Sequence, residues 1–190
     1  VTHGLSGSGK TTLTQGLLEW LGAIRTRTAV ERQRPHGLHA QARSGSRLDE
    51  GLYAADATER TYRRALELAE AVAAAGGIAI VDGTFLKRWQ RDLFRARAAE
   101  LGRPFVIVAF IASNATLRAR IVERAQRATD ASEADLGVLD GQLRTREPLA
   151  ADERAYVVDI DAEAPPERSR DPATWRAVCA RLGITGAPPP

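Results

Sequence analysis

Eight residues near the start of the chain, Gly4-Leu-Ser-Gly-Ser-Gly-Lys-Thr11, have the types and spacing to hold phosphate. Glycines at positions 4, 7 and 9 let backbone N–H groups close around phosphate oxygens. The helix expected next adds the positive end of its dipole. In this pattern Lys10 bridges the β- and γ-phosphates of a nucleotide, and the Thr11 hydroxyl is a ligand for Mg²⁺. Ser6, Ser8 and Thr12 join Gly4, Gly7, Gly9, Lys10 and Thr11 as the expected nucleotide contacts. A second anchor is Ile78-Ala-Ile-Val-Asp82. An apolar strand ending in a carboxylate is what the magnesium shell needs beside the threonine, which gives Asp82 and Thr11 as the metal pair.

Further along, Leu117-Arg-Ala-Arg-Ile-Val-Glu-Arg124 places Arg120 and Arg124 on one face of a helix. Arg127 follows a turn later, and Ala128-Thr-Asp-Ala131 then breaks the pattern. This describes a lid whose arginines swing over a γ-phosphate and stabilise charge as it transfers. A solvated, salt-bridged face is the plainer alternative, since Glu123 is adjacent. Lys10, Asp82, Arg120 and Arg124 form the candidate catalytic set, and the two arginines also count as nucleotide contacts. Glu31, Arg32, Arg88 and Arg91, with Lys87 nearby, follow the second and third expected strands. In a doubly wound sheet that edge binds ligands. These residues are the candidates for holding an anionic or hydroxylated acceptor. Trp89 either covers an acceptor ring or packs. His36 and His39 have no matching carboxylates and read as loop residues.

Positioning these groups requires alternating strands and helices, hence an α/β domain with a parallel sheet. A short strand ends at His3, and a helix runs from about Lys10 to Leu21. Ala23–Arg27 reads as a second strand and Ala29–Gly37 as a short helix. His39–Asp49 reads as a loop, and Tyr53–Ala75 as a long helix. Ile78–Val81 is a buried strand, Lys87–Leu101 a helix, and Phe105–Ile111 the central strand. Asn114 is expected to cap the arginine helix, and Ser132 the helix after it. Tyr156–Ile160 is the last strand, and Asp171-Pro172 opens the final helix. Residues 1–185 read as one domain and Gly186–Pro190 as a stiff Pro-rich tail. The start reads as cut from a longer chain, because so little precedes the glycine loop.

Composition sets outer limits. The 190 residues are 44% hydrophobic and 27% charged, ordinary for a globular domain rather than a disordered chain. Lys and Arg number 27 against 24 Asp and Glu, so the net charge is +3. That surplus is too small and scattered to point to nucleic acid. A single cysteine excludes an internal disulfide and a Cys-based zinc site and fits a reducing cytoplasm. No apolar run reaches membrane-spanning length. No Asn-Lys-x-Asp guanine-reading element occurs, which argues against a GTPase, and the chain is too short for a transporter ATPase.

The glycine loop, Val81-Asp-Gly-Thr-Phe-Leu-Lys-Arg-Trp-Gln-Arg91, the arginine helix and Asp130-Ala-Ser-Glu-Ala134 together resemble the P-loop kinases related to zeta toxins and polynucleotide kinases. That group is usually described as AAA-family ATPases and often follows an aminoglycoside-phosphotransferase-like domain in one polypeptide. The resemblance implies a three-layer P-loop NTPase fold of about five parallel strands, nucleoside-kinase-like, with an arginine lid. It also implies ATP and Mg²⁺ as cofactors, a small hydroxylated acceptor, a cytoplasmic setting and a fused upstream domain. In the group, a segment like Arg-Ser-Asp-Val-x-Arg supplies an aspartate that accepts the acceptor's proton. Here the segment is Arg27-Thr-Ala-Val-Glu-Arg32, with Ala29 at that position. Three possibilities stand: a base lost from a binding or regulatory module, a substitute carboxylate in Glu31 or Asp82, or a reaction needing no strong base.

Overall fold

A computed structural model describes residues 1–34, 55–127 and 134–184. Five strands alternate with seven α-helices among these residues: β1 (Thr2–His3), α1 (Lys10–Leu21), β2 (Ile24–Arg27), α2 (Thr28–Gln33), α3 (Ala55–Ala74), β3 (Ala79–Asp82), α4 (Arg88–Glu100), β4 (Ile107–Ile111), α5 (Asn114–Arg127), α6 (Leu136–Thr145), β5 (Val157–Asp161) and α7 (Pro172–Arg181). Two 3₁₀ turns, Ala151–Tyr156 and Pro166–Arg170, flank β5. The tail 186–190, the loop 39–49 with His36 beside it, and Ala128–Ala131 lie outside the described residues. No described helix is long and apolar enough to cross a membrane.

Every strand pairing is parallel. β1, β4 and β5 form one ladder, and β2 and β3 another. The ladders meet along β1 and just past its end. There the Gly4 N–H donates to the Thr84 carbonyl at 3.1 Å, and the Thr2 hydroxyl donates to the Gly83 carbonyl at 2.7 Å. The spatial order is therefore β2-β3-β1-β4-β5. The order reverses beside β1, which sends α1 to one face and α3 and α4 to the other.

Alternation along the strands divides the core between those faces. Val108, Phe110, Val158 and Ile160 pack with Leu13 and Leu17 of α1 and with Trp175 and Val178 of α7. Ile107, Ala109 and Val157 point to the opposite face. Tyr62 and Ala65 of α3 join Val81, Phe85 and Phe94 to close the layer over β3. A smaller cluster, Leu5, Leu86, Leu117, Ile121 and Leu139, pins α5 and α6 against the first turn of the glycine loop.

Two expected caps shift by a few residues. Ser113, not Asn114, caps α5, because its hydroxyl accepts from the Thr116 N–H at 3.2 Å. Asp135 caps α6, where its carboxylate accepts from the Val138 N–H at 2.8 Å, and the expected cap Ser132 lies outside the described residues. In each case the capping oxygen lies three residues before the amide it satisfies, the separation that geometry requires.

Arg91 is a larger correction. On the acceptor side by sequence, it lies inside the protein by structure. Arg91 and Glu153 are each 1% exposed, and the guanidinium donates to both carboxylate oxygens at 2.5 and 3.0 Å. Its other donors reach the carbonyls of Phe85, Glu147 and Pro148. The physical reason is helical spacing. Arg91 stands three residues before the buried Phe94, so it shares the inward face of α4. Arg91→Met should destabilise the fold by about 3–5 kcal/mol, because Glu153 is left buried and uncompensated. Urea unfolding should show most of that loss recovered in the double variant Arg91→Met/Glu153→Leu.

Candidate functional site

The glycine loop leaves β1 and enters α1 through residues whose backbone demands glycine. Gly7 has φ 85° and Gly9 φ 75°, and Gly9 is the N-cap of α1 with no side-chain cap. A methyl group on Gly4 would sit 2.8 Å from the Ser8 hydroxyl and 3.0 Å from the Phe110 carbonyl. The result is a cradle of amide donors at the end of a 12-residue helix. Ser6 and Ser8 are buried within it, and Thr12 is exposed on the first turn of α1.

Lys10 arches back over this cradle. Its ammonium donates to the carbonyls of Gly4 and Leu5 at 2.9 and 2.8 Å and to the Ser8 hydroxyl at 3.3 Å. On the other side of Lys10, the Thr11 hydroxyl donates to Asp82 Oδ2 at 2.5 Å. Arg27 stands opposite Asp82 in the β2–β3 register and brings its Nε within 3.7 Å of the same oxygen. Threonine hydroxyl and aspartate carboxylate are hard oxygen donors of the kind Mg²⁺ takes. No cluster of three His, Cys, Asp or Glu side chains suited to a metal exists among the described residues. That donor set fits a Mg²⁺ held by one carboxylate, one hydroxyl, water and phosphate oxygens, not a metal caged by protein alone.

The arginine helix reaches the same place. Arg120 donates to the Ala162 carbonyl at 2.8 Å, and its Nη1 would lie 3.6 Å from a methyl on Gly9. Arg124 donates to the Ala134 carbonyl at 2.6 Å and is close enough to Lys10 to depress its affinity for a proton. Thus Lys10, Thr11, Asp82, Arg120 and Arg124, far apart in sequence, converge on one mouth.

The acceptor-side candidates do not converge in the same way. Arg88 is half-exposed and forked onto Asp152 at 3.2 and 2.8 Å, with Asp92 on its Nε. Glu31 is buried. One of its oxygens accepts from Arg34 at 3.0 Å, and the other, Oε2, has no hydrogen-bond partner. Arg32 lies near enough to the Tyr62 phenol to act on it electrostatically. Burial nevertheless pushes that phenol above its ordinary range.

Three features escape a sequence reading. The Gln142 side chain spans Ser6, accepting its N–H at 2.9 Å and donating to its hydroxyl at 3.0 Å. Tyr62 accepts from the Phe85 N–H at 3.3 Å and lies 3.5 Å from the Thr84 hydroxyl. Phe85 itself has φ 48°. The first two are contacts across long stretches of chain with no local pattern. Arg27 did carry a signal, since it ends the strand beside the one that ends in Asp82.

Lys10 has a testable electrostatic consequence. Burial lowers its pKa from 10.5 to about 8, with Arg124 acting in the same direction and Asp82 against it. Between about pH 8 and 10.5 the unfolded chain holds a proton that the folded chain has released, so stability rises with pH through that window. A bound triphosphate restores the proton, so polyphosphate affinity should be flat below about pH 8 and fall by up to about tenfold per pH unit above it. Calorimetric titration with ATP across pH 7–10 checks this, and Lys10→Gln should weaken binding and abolish the slope.

The fold has known counterparts. An unliganded sugar kinase from Janibacter sp. HTCC2649 superposes with a TM-score of 0.69 at 24% identity, covering 97% of this chain and 93% of that one. A gluconokinase from Sinorhizobium meliloti 1021 gives 0.61 at 20% identity, covering 96% and 89%. These likenesses establish a shared α/β architecture. No curated protein matches the chain significantly. The family described as the AAA domain matches residues 1–149, in which the whole cradle, Asp82 and the arginine helix fall, and the chain belongs to that family.

Proposed function

We propose that this chain is an ATP-dependent phosphotransferase that moves the γ-phosphate of Mg·ATP to a hydroxyl of a small acceptor. The observation carrying this reading is the convergence of Lys10, the Thr11–Asp82 pair, Arg120 and Arg124 on one amide cradle. Membership of the AAA domain family supports it. So does the likeness to a sugar kinase and a gluconokinase.

In this reading the amides of Gly7–Thr12 bind the phosphates, and Lys10 exchanges its loop carbonyls for phosphate oxygens. Thr11 and Asp82 hold Mg²⁺, which neutralises charge on the phosphates. Arg120 and Arg124 reach the three equatorial oxygens of the transferring group, where loose transition states concentrate charge. The acceptor oxygen forms a bond to the γ-phosphorus as the bond to the β,γ-bridging oxygen breaks, and ADP leaves. The hydroxyl proton must go elsewhere.

Ala29 bears on that last step. It lies on α2, two residues beyond Arg27, and cannot take a proton. Asp82 is engaged by Thr11 and Arg27, whereas Glu31 keeps one oxygen without a hydrogen bond. A second reading, a nucleotide-binding regulatory module without useful turnover, rests on this one substitution.

Transfer of ³²P from γ-labelled ATP to a metabolite panel separates the two readings. Ala29→Asp should raise kcat by about 10²–10⁴-fold, the usual reach of general-base help, with ATP affinity unchanged. Bound ATP with no transfer in either form would favour the regulatory reading. Lys10→Ala with undiminished ATP affinity would defeat both.

A further inference from the structure

Trp89 is an aromatic side chain left open at the ligand edge of the sheet. It lies on the first turn of α4, seven residues beyond Asp82, and is 41% exposed. The other two tryptophans are occupied elsewhere: Trp175 is buried at 1% exposure, and Trp20 packs against the α1–α7 core. The Trp89 indole is not adrift. It meets the Tyr62 ring at 5.6 Å and 71°, and Tyr62 is anchored in turn by Phe85 and Thr84. The aromatic chain thus runs from Trp89 through Tyr62 to the turn that follows Asp82.

The cations at the start of α4 beside Trp89 are paired. Lys87 pairs with Glu147 and donates to the Thr145 carbonyl, and Arg88 is forked onto Asp152 and bound to Asp92. Arg91 is consumed by Glu153. The amides of the cap residue and of the first residue of α4 are also taken: Lys87 N–H donates to Gln90, and Arg88 N–H to Glu147. Among the described residues, the start of α4 offers a fixed apolar ring face with paired polar groups beside it. A single aromatic face with polar neighbours suits a molecule with one C–H surface and hydroxyls at its edge.

We infer that Trp89 is a specificity-determining platform for a carbohydrate acceptor, whose C–H face lies on the indole. This deepens the kinase reading and rests on it. The experiment has two arms on the full chain. Tryptophan fluorescence is titrated with D-glucose, D-gluconate, adenosine and guanosine, each for wild type and Trp89→Leu, and Mg·ATP affinity is measured on the same samples. Transfer kinetics are then run on Trp89→Leu and Trp89→Phe.

A sugar-dependent quench that Trp89→Leu abolishes is expected. With it should come an acceptor KM raised about tenfold in Trp89→Leu, partly restored in Trp89→Phe, and kcat and ATP affinity within about twofold. A quench by nucleosides alone overturns the inference, as does no quench by any of the four, or an acceptor KM indifferent to Trp89. Lost ATP binding in the wild type would instead defeat the kinase reading beneath it.

Discussion

The site depends on how closely the glycine loop approaches α5. A methyl group on Gly7 would lie 2.6 Å from the carbonyl oxygen of Leu117, a distance at which one backbone must move. Because Gly7 has no side chain, the loop packs directly on the helix that carries Arg120 and Arg124. Leu117 also sits in the small cluster with Leu5, Ile121 and Leu139. Glycine loop and arginine helix are therefore one packed unit. The ends of the arginines are held by the Ala162 and Ala134 carbonyls, neutral acceptors that can give way to stronger anionic ones.

That packing has an electrostatic result. Lys10, Arg27, Arg120 and Arg124 crowd a space in which Asp82 is the carboxylate in direct contact with the loop. Burial in that mouth lowers the proton affinity of Lys10, with Asp82 opposing the shift and Arg124 adding to it. A polyanion bound there would supply the counter-charge that burial denies the ammonium. The clasp between Thr11 and Asp82 holds two hard oxygen donors side by side, where the proposed Mg²⁺ would bind.

The local parts of this design were legible in the sequence. The glycine loop, the apolar run ending in Asp82 and the i, i+4 arginines are patterns within a dozen residues, and each maps onto one element of the fold. Strand order was constrained too, because parallel strands with helical crossovers leave few arrangements. What sequence could not reveal depended on partners far along the chain. Arg91 looked like a ligand-edge cation until Glu153, 62 residues away, proved to be its counter-ion. Gln142 had no reason to be noticed without Ser6, 136 residues distant. The caps of α5 and α6 were missed by smaller margins, since several Ser, Asn and Asp residues nearby could each do the job.

The misread arginine turns out to serve the site by another route. Phe85 is a bulky residue in the left-handed region, a conformation that costs of order 1–3 kcal/mol and persists only where its surroundings hold it. Its carbonyl accepts from Arg91 and lies 3.0 Å from His3 Nδ1, its N–H donates to Tyr62, and its ring meets Tyr62 and Phe94 edge-on. Thr84, just before it, gives its carbonyl to Gly4. The turn from Asp82 to Phe85 is thereby fixed to the glycine loop on one side and to the Arg91–Glu153 pair on the other. A buried ion pair contributes little net stability against an apolar replacement. Here it fixes the path of the backbone that leaves Asp82, and so the direction in which that carboxylate faces Thr11.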